Sequence, residues 1–387
     1  MHYLNDFKCG KCGSPGLIKK GQGVSNMKSY WVQRYQCKDC GHKQTGKKRH
    51  YEMKQPFQYQ SKPVPSQNWS TYTGAQENHG RFLKMCLTEL LEKVEFNESV
   101  STGRPSASLN DILFSLALKS YTRLSSRRLH SELVVAKQLG FINQVFDYST
   151  LMKYLKREDI SEILTELIRL SSLPLKEIEV DFAIDSTGFS TNQFGRWKNH
   201  RNGKEFNMRD YLKGHIIIGV KTNIITYAEI TLSSAGDSPQ LEKLVEETSK
   251  NFQIREVSAD AAYSARKNLE FIDSKGATPY ISFKKSTTGA HGGSKIWGRS
   301  FEDSKNNPQE FGEHYHKRSN VESTNSMIKQ KFGSNLVTKN FQSQKNEILL
   351  KILCHNVLCL VHEYYEKTIE WPLSTQAPNI DIKRPEV

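Results

Sequence analysis

The stretch that decides the fold reads EIEVDFAIDSTGF and covers residues 177–189. Apolar side chains recur at every second position from Ile178 to Ile184, which is the period of a β-strand. Asp185 comes directly after this run and is followed by Ser-Thr-Gly. We therefore expect an acid at the end of a strand, where small neighbours leave space for a metal ion. Asp181 has the same parity on this strand and is the competing acid, but the small residues after Asp185 favour Asp185.

Downstream of this strand, strand and helix patterns alternate. Four further runs are predicted to be strands: His215–Val220, Ile224–Leu232, Arg255–Ala259 and Pro279–Phe283. A Gly/Ser/Lys-rich insertion is expected at 285–312, and long helices continue to about Glu366. Three leading strands followed by alternating helices and strands predict a mixed α/β sheet covered by helices, in a domain that spans 176–366.

The chain outside this domain has several textures. Residues 81–175 show helical periodicity in three segments, which begin near Leu109, Leu129 and Leu151. Short basic helices of this kind form either a DNA-binding helix-turn-helix or a spacer, and the pattern does not decide between them. Residues 51–80 are rich in Gln, Ser and Pro and are predicted to be a linker. Residues 367–387 are predicted to be a tail.

Two Cys-x-x-Cys pairs lie within residues 1–50, namely Cys9 with Cys12 and Cys37 with Cys40. Each pair is followed by glycine, and four thiolates in two short loops suit tetrahedral zinc. We therefore predict a zinc ribbon with one structural Zn²⁺. Residues 1–62 contain 13 Lys or Arg against three Asp or Glu, a net charge of +10. This region could contact DNA, or the metal could serve only to hold the fold. The other cysteines lie in apolar helical runs and are expected in the core: Cys86, Cys354 and Cys359.

The whole chain has 387 residues and a net charge of +14. This excess suits a polyanionic partner, because each phosphate that is neutralised releases condensed counterions. The N-terminus has no apolar leader, and the most apolar stretch, residues 348–361, is shorter than the ~20 residues of a membrane span. We expect a cytoplasmic protein without a membrane partner.

Asp260 repeats the arrangement around Asp185. It follows Val257-Ser-Ala at a predicted strand end and precedes Ala-Ala-Tyr263. A strand-end acid alone is often a turn residue, so these two positions gain meaning only together with a third motif.

The third motif is HYHKRSNVESTNSMIK, residues 314–329. Polar side chains in it step by three, four, three and four residues, which predicts one stripe along a helix: Tyr315, Arg318, Glu322, Asn325 and Lys329. The stripe could be a solvated face with an ion pair between Arg318 and Glu322. Alternatively, Glu322 faces a metal ion and its neighbours bind phosphate.

Taken in order, these motifs resemble those of DDE insertion-sequence transposases of the cut-and-paste type. The spacing Tyr-(x2)-Arg-(x3)-Glu-(x6)-Lys of the family's YREK signature is reproduced by Tyr315, Arg318, Glu322 and Lys329. Asp185-Ser-Thr-Gly is similar to the first acidic motif of these enzymes, and Ala259–Tyr263 is similar to the second. The resemblance covers about residues 177–366.

The resemblance implies a ribonuclease-H-like domain whose first three strands are antiparallel. It implies two Mg²⁺ or Mn²⁺ ions held by Asp185, Asp260 and Glu322. It also implies contacts to DNA phosphates from Tyr315, Arg318 and Lys329. The expected partners are double-stranded DNA, both the element ends and the target, and further copies of the chain in a dimer or higher oligomer at the nucleoid.

Two other functions stay open. A ribonuclease-H-like nuclease would cut DNA without joining ends, and a decayed transposase would bind DNA through its zinc ribbon without cutting. Trp297 could stack on a flipped base or be an ordinary loop aromatic. Three cations after the first strand are candidate phosphate contacts or plain surface charge: Lys198, Arg201 and Lys204.

Overall fold

The computed structural model describes residues 8–24, 31–45, 68–94, 107–191, 211–284, 286–287 and 292–370. The chain divides into two compact units, Met1–Ser66 and Gln67–Val387. The loop cations Lys198, Arg201 and Lys204 lie outside the described residues, as do most of the predicted linker and tail.

The first unit contains a three-stranded antiparallel sheet of β1 (Leu17–Val24), β2 (Trp31–Cys37) and β3 (Lys43–Thr45). The first cysteine pair precedes β1, and the second pair begins at the last residue of β2. Gly13 and Gly41 have φ angles of 72° and 69°, which favour glycine. Their amides donate to the carbonyls of Cys9 and Cys37 at 2.8 and 3.1 Å. The two cysteine turns therefore close in the same way.

The second unit contains a five-stranded mixed sheet with the order β6-β5-β4-β7-β8. Its strands are β4 (Asp181–Ser190), β5 (Tyr211–Gly219), β6 (Ile225–Leu232), β7 (Glu256–Ala259) and β8 (Thr278–Ile281). Strands β4, β5 and β6 are antiparallel, and β7 and β8 run parallel to β4. The predicted mixed α/β sheet is confirmed.

Strand β4 is longer than its sequence pattern predicts. The pattern ends at Asp185, whereas the strand continues to Ser190 because β5 pairs with it along its whole length. The parallel pairing with β7 stops at the register pair Ile184 and Ala259. Asp185 therefore lies inside β4, at the point where one neighbouring strand ends and the other continues.

The helices before the sheet are α1 (Trp69–Glu92), α2 (Leu109–Thr122), α3 (Leu129–Gln138), α4 (Tyr148–Tyr154) and α5 (Asp159–Ser172). Helix α1 begins inside the stretch 51–80 that we predicted to be a linker. Its buried positions there are small or polar, Thr71, Ala75 and His79, so no apolar periodicity shows in the sequence.

The third helix predicted in this region is two helices in the structure. Between α4 and α5 the carbonyls of Leu155 and Arg157 accept hydrogen bonds from Asn346 Nδ2, at 3.1 and 3.0 Å. A distant side chain thus stabilises a turn that local pattern does not predict. The connection from α3 to α4 runs over residues 139–147, longer than the about three or four residues of a helix-turn-helix.

The helices after β6 are α6 (Leu241–Ser249), α7 (Arg266–Ser274), α8 (Lys295–Asn306), α9 (Pro308–Tyr315), α10 (Ser319–Phe332) and α11 (Phe341–Tyr365). The predicted insertion at 285–312 therefore contains α8 and the start of α9. Trp297, in α8, is 5% exposed. It stacks on Phe301, meets Phe283 edge-on, and lies under the guanidinium of Arg266. Trp297 is a core residue, neither a loop aromatic nor a base-stacking surface.

Helix α11 joins the helical region to the sheet. One hydrophobic cluster contains residues from α2, α5, β5 and α11, for example Leu116, Leu164, Ile216 and Leu353. Residues 81–175 therefore do not form a separate domain, because they share their core with the sheet. Cys86, Cys354 and Cys359 are buried, as predicted. Among the described helices, none is both long and apolar enough to span a membrane.

Candidate catalytic site and cysteine cluster

Asp185 lies in β4, and Asp260 directly follows β7, the parallel neighbour of β4. Ile184 and Ala259 are the last register pair of β4 and β7, and each acid is the next residue along its chain. Asp260 leaves the sheet there, and its Oδ1 accepts from the amide of Ala262 at 2.8 Å. The two carboxylates thus belong to the same edge, although they are 75 positions apart in the sequence.

Helix α10 packs across this edge and carries the third acid. Glu322 is in its first turn. One turn later, Asn325 donates from Nδ2 to Asp185 Oδ2 at 3.2 Å. The Oδ1 atom of Asn325 is buried without a hydrogen-bond partner among the described residues. The hydrogen bond from Asn325 to Asp185 fixes α10 against β4.

The electrostatics of Asp185 show that the three acids interact. Burial, which disfavours the charged form, is the largest cause that raises the pKa of Asp185 to about 6. The charges of Asp260 and Glu322 raise this pKa further, whereas the Ser186 amide and the positive charge of Arg318 lower it. A carboxyl group in this state gains from a cation, because a cation favours the ionised form.

The predicted stripe is not one continuous helix. Tyr315 ends α9, and a 3-10 turn, His316–Arg318, precedes α10. Arg318 donates to Glu322 at 2.6 Å and lies over the ring of Tyr315 at 5.8 Å. The Arg318–Glu322 ion pair of the first interpretation is therefore present. Glu322 also contributes to the raised pKa of Asp185, so its charge acts on that carboxyl group. The second interpretation, in which Glu322 faces a metal ion, stays a prediction.

Lys329 lies at the far end of α10. Its Nζ is 5.7 Å from the centre of the Phe189 ring. Burial lowers the pKa of Lys329, and the negative charge of Asp185 acts in the opposite direction. Lys329 is thus close enough to Asp185 for their charges to interact.

Asp181, the competing acid, is occupied by protein cations. Its Oδ2 accepts from Arg255 at 2.6 Å and from Lys317 at 2.7 Å. A carboxylate with two cationic partners has little remaining capacity for a metal ion, and the choice of Asp185 as the ligand stays a prediction.

A further acid near the site was not predicted from the sequence in this role. Asp237 directly precedes the 3-10 helix Ser238–Gln240, and its side chain makes no cap hydrogen bond. It accepts from Lys213 Nζ at 3.0 Å and lies 3.6 Å from His215 Nδ1. The charges of Asp237, Asp185 and Asp260 all raise the pKa of Tyr263, although burial is the largest cause. The local sequence around Asp237 does not indicate that its charge acts on the same tyrosine as the charges of Asp185 and Asp260.

The four cysteines of the first unit come together. Their sulfur atoms all lie within 4.8 Å of one another. Cys9 and Cys37 are buried, and Cys12 and Cys40 complete two close pairs, Cys9 with Cys40 at 3.6 Å and Cys12 with Cys37 at 3.5 Å. The backbone amide of Cys40 is the largest cause that lowers the pKa of Cys37 to about 6. Such a donor set fits a tetrahedral thiophilic metal. Among the described residues, no other group of three or more His, Cys, Asp or Glu side chains converges in this way.

Comparison with known proteins finds similarity within the second unit. Residues 177–357 match the family model described as a transposase DDE domain. This segment holds Asp185, Asp260 and Glu322, and the match supports a DDE transposase. A solved structure titled "Cryo-EM structure of piggyBac transposase synaptic complex with hairpin DNA (SNHP)" is also similar. That similarity has 11% sequence identity and a TM-score of 0.37, over 76% of this chain and 73% of that one.

Proposed function

We propose that this protein is a DNA transposase that binds the ends of an insertion sequence, cuts them and joins them to a target. The observation that supports this most directly is the placement of the three acids: Asp185 lies in β4, Asp260 directly follows β7, and Glu322 is in the first turn of α10, which packs on β4. Their charges interact, and all three lie within the segment that matches transposase DDE domains.

The three carboxylates would hold two Mg²⁺ or Mn²⁺ ions. When bound, such a metal pair stabilises both the attacking and the leaving oxygen of an in-line displacement. Asn325 would orient Asp185 through its amide. Tyr315, Arg318 and Lys329 would contact DNA phosphates on either side of the acids, which fits their places before and along α10.

The cysteine cluster would hold one structural Zn²⁺. Its four sulfurs satisfy the ligand number of a closed zinc site. The net charge of +10 over residues 1–62 suits a region that binds DNA without regard to sequence. We expect the working form to be a dimer or higher oligomer on paired DNA ends.

The test is a reconstituted reaction. Purified protein is incubated with the DNA that flanks its own coding sequence, with Mg²⁺ and with a target plasmid, and the junctions are sequenced. We expect junctions with the unchanged protein and none with Asp185→Asn, Asp260→Asn or Glu322→Gln, while DNA binding stays within about threefold because an amide keeps the shape of each acid. The matched control is Glu270→Gln, an exposed acid of α7, which should leave the reaction unchanged.

Other outcomes identify the alternative functions. Cut ends without junctions would replace the transposase by a nuclease of similar fold. Binding without any cut strand under Mg²⁺ and Mn²⁺ would indicate a decayed enzyme retained for DNA binding. Full activity in any one of the three acid variants would remove that residue from the site.

A further inference from the structure

Two pairs of acids lie along the same two strands. Asp181 and Glu256 are a register pair at the start of β4 and β7. Asp185 and Asp260 each follow four residues later, beyond the last register pair. Equal spacing on parallel neighbours places the second pair above the first along the strands. The two pairs are similar in the sequence, but the protein treats them differently.

The first pair is neutralised by cations of the protein itself. Lys317 Nζ lies 2.7 Å from Asp181 Oδ2 and 2.5 Å from Glu256 Oε1, between the two carboxylates. Arg255 also pairs with Asp181, and His314 Nδ1 lies 2.6 Å from the second oxygen of Glu256. The Glu256 side chain is only 4% exposed. This is a partly buried ion network, and such networks are costly to break from one side.

Hydrogen bonds in this network outweigh the effect of burial. Burial raises the pKa of Asp181, but the hydrogen bonds from Arg255 and Lys317 act more strongly together and leave it below its ordinary value. For Lys317, burial lowers the pKa, and the two acids more than reverse this. Both groups are therefore charged at neutral pH.

Lys317 belongs to the segment that leads into the catalytic helix. It lies in the 3-10 turn His316–Arg318, directly before α10. Arg318 is the next residue, and Glu322 follows in the first turn of α10. A side chain fixed on the first acidic pair therefore holds the start of the helix that reaches the second pair.

We propose that Lys317 is a positioning residue, whose ammonium group, held between Asp181 and Glu256, sets the distance of Glu322 from Asp185 and Asp260. The proposal rests on the proposed function. It differs from a phosphate-binding role, because Lys317 already has two carboxylate partners. In this role Lys317 affects the affinity for metal ions and the rate of strand cleavage, and it does not affect the affinity for DNA.

The test compares four variants of the full-length protein. Lys317→Met removes the charge, and Lys317→Arg keeps it. In Lys317→Met alone, the buried carboxylate of Glu256 loses its lysine partner. The double variant Lys317→Met with Glu256→Gln therefore also removes the charge of that carboxylate. The matched control is Lys243→Met, which breaks another Lys–Glu pair, Lys243 with Glu229 at 2.6 Å, in α6 and β6.

The readouts are DNA-end affinity, the cleavage rate at saturating DNA as a function of Mg²⁺, and amide hydrogen exchange of residues 319–325. We expect Lys317→Met and the double variant to cleave about 10- to 100-fold more slowly, because a displacement near 1 Å has effects of this size. Their half-saturating Mg²⁺ concentration rises, DNA affinity stays within about threefold, and exchange at 319–325 becomes faster. Lys317→Arg restores most of the rate, and Lys243→Met changes none of these quantities.

Two results would overturn the proposal. In one, Lys317→Met and the double variant keep the Mg²⁺ dependence and the exchange rates of the unchanged protein. In the other, all variants including Lys317→Arg lose activity only in proportion to lost DNA affinity, which would make Lys317 a phosphate contact. If the unchanged protein cuts no DNA, the proposed function fails, and the exchange rates at 319–325 still decide whether Lys317 positions α10.

Discussion

The position of Asp185 in the fold leaves its carboxyl group poorly solvated. It lies inside β4 beneath α10, where burial, with smaller contributions from the charges of Asp260 and Glu322, raises its pKa to about 6. An acid in such a place lowers the stability of the metal-free fold at neutral pH, because ionising it there costs more than in the unfolded chain. The position suits a metal ligand better than a structural residue.

We predict that Asp185→Asn abolishes strand cleavage and at the same time stabilises the metal-free protein at pH 7.5. The folded pKa of about 6 exceeds the ordinary value of 3.8, so the folded state binds more protons between these values. The free energy of unfolding of the unchanged protein therefore falls as pH rises from about 4 to about 6 and stays lower above that range. After allowance for partial solvent exposure, the gain from Asn is roughly 1–3 kcal/mol.

The measurement is urea unfolding of both proteins at pH 4 and pH 7.5, with EDTA present. The gain should be much smaller at pH 4, where the folded Asp185 is almost fully protonated because its pKa is about 6, while the unfolded one is only partly ionised. An equal gain at both pH values, or a loss at pH 7.5, would show that ionisation of Asp185 does not limit stability.

At the scale of elements, sequence periodicity predicted the strands and helices whose bounds depend on their own residues. Sequence pattern located β4, β5 and β6, and α3 begins at Leu129, as predicted. The patterns failed where a distant partner decides the structure. Asp185 does not end a strand because β5, not β7, continues beside it, and α4 ends where Asn346 binds the turn after it.

The candidate catalytic residues show the same difference between what local sequence predicts and what distant partners decide. The spacing from Tyr315 to Lys329 is visible in the sequence, although a 3-10 turn interrupts the helix. The cations that occupy Asp181 are not visible, since Arg255 and Lys317 reach it from 74 and 136 positions away. Only the fold distinguishes the acid that is paired from the acid that is available.

Asn356 joins three elements, and we predict that Asn356→Leu destabilises the second unit by about 2–4 kcal/mol. Asn356 is fully buried in α11. It donates to the carbonyl of Ile225 in β6 at 2.7 Å and to Ser171 Oγ in α5 at 3.0 Å, and it accepts from the Ile225 amide. Leucine would remove the side-chain partner of the Ile225 amide and carbonyl and one of the two partners of Ser171 Oγ, which still donates to the carbonyl of Ile168.

This change is measured by urea unfolding, with Asn306→Leu at the exposed end of α8 as the control. The control should alter the free energy of unfolding by less than about 0.5 kcal/mol. Equal effects of the two substitutions would mean that the hydrogen bonds of Asn356 do not connect α5, β6 and α11.

At the scale of the whole molecule, the two units differ in what stabilises them. The second unit has an extensive hydrophobic core, whereas the described part of the first unit has three short strands and the cysteine cluster. Structural zinc sites of this type supply about 10–16 kcal/mol of folding free energy in small domains. The folding of the first unit should therefore depend on zinc, and the folding of the second should not.

We predict that removal of zinc with a strong chelator, or Cys12→Ser, unfolds β1–β3 and leaves the melting of residues 67–387 unchanged. The expected metal content of the unchanged protein is one zinc per chain, measured by atomic absorption, and unfolding is followed by amide hydrogen exchange. Cys359→Ala serves as the reciprocal control: it should lower the stability of the second unit and keep the zinc. A melting transition of the second unit that shifts with zinc would contradict this independence.

The edge of the large sheet has a consequence for handling the protein at high concentration. Strand β8 is only four residues long and contains Pro279, which has no backbone N–H to donate to a strand of another molecule. Short edges with proline resist edge-to-edge pairing of sheets, a common route to amyloid-like aggregation. At high concentration, molecules can therefore contact one another through side chains, while intermolecular strand pairing at β8 is disfavoured. Replacing Pro279 by valine would restore the missing donor and, with it, a route to insoluble protein.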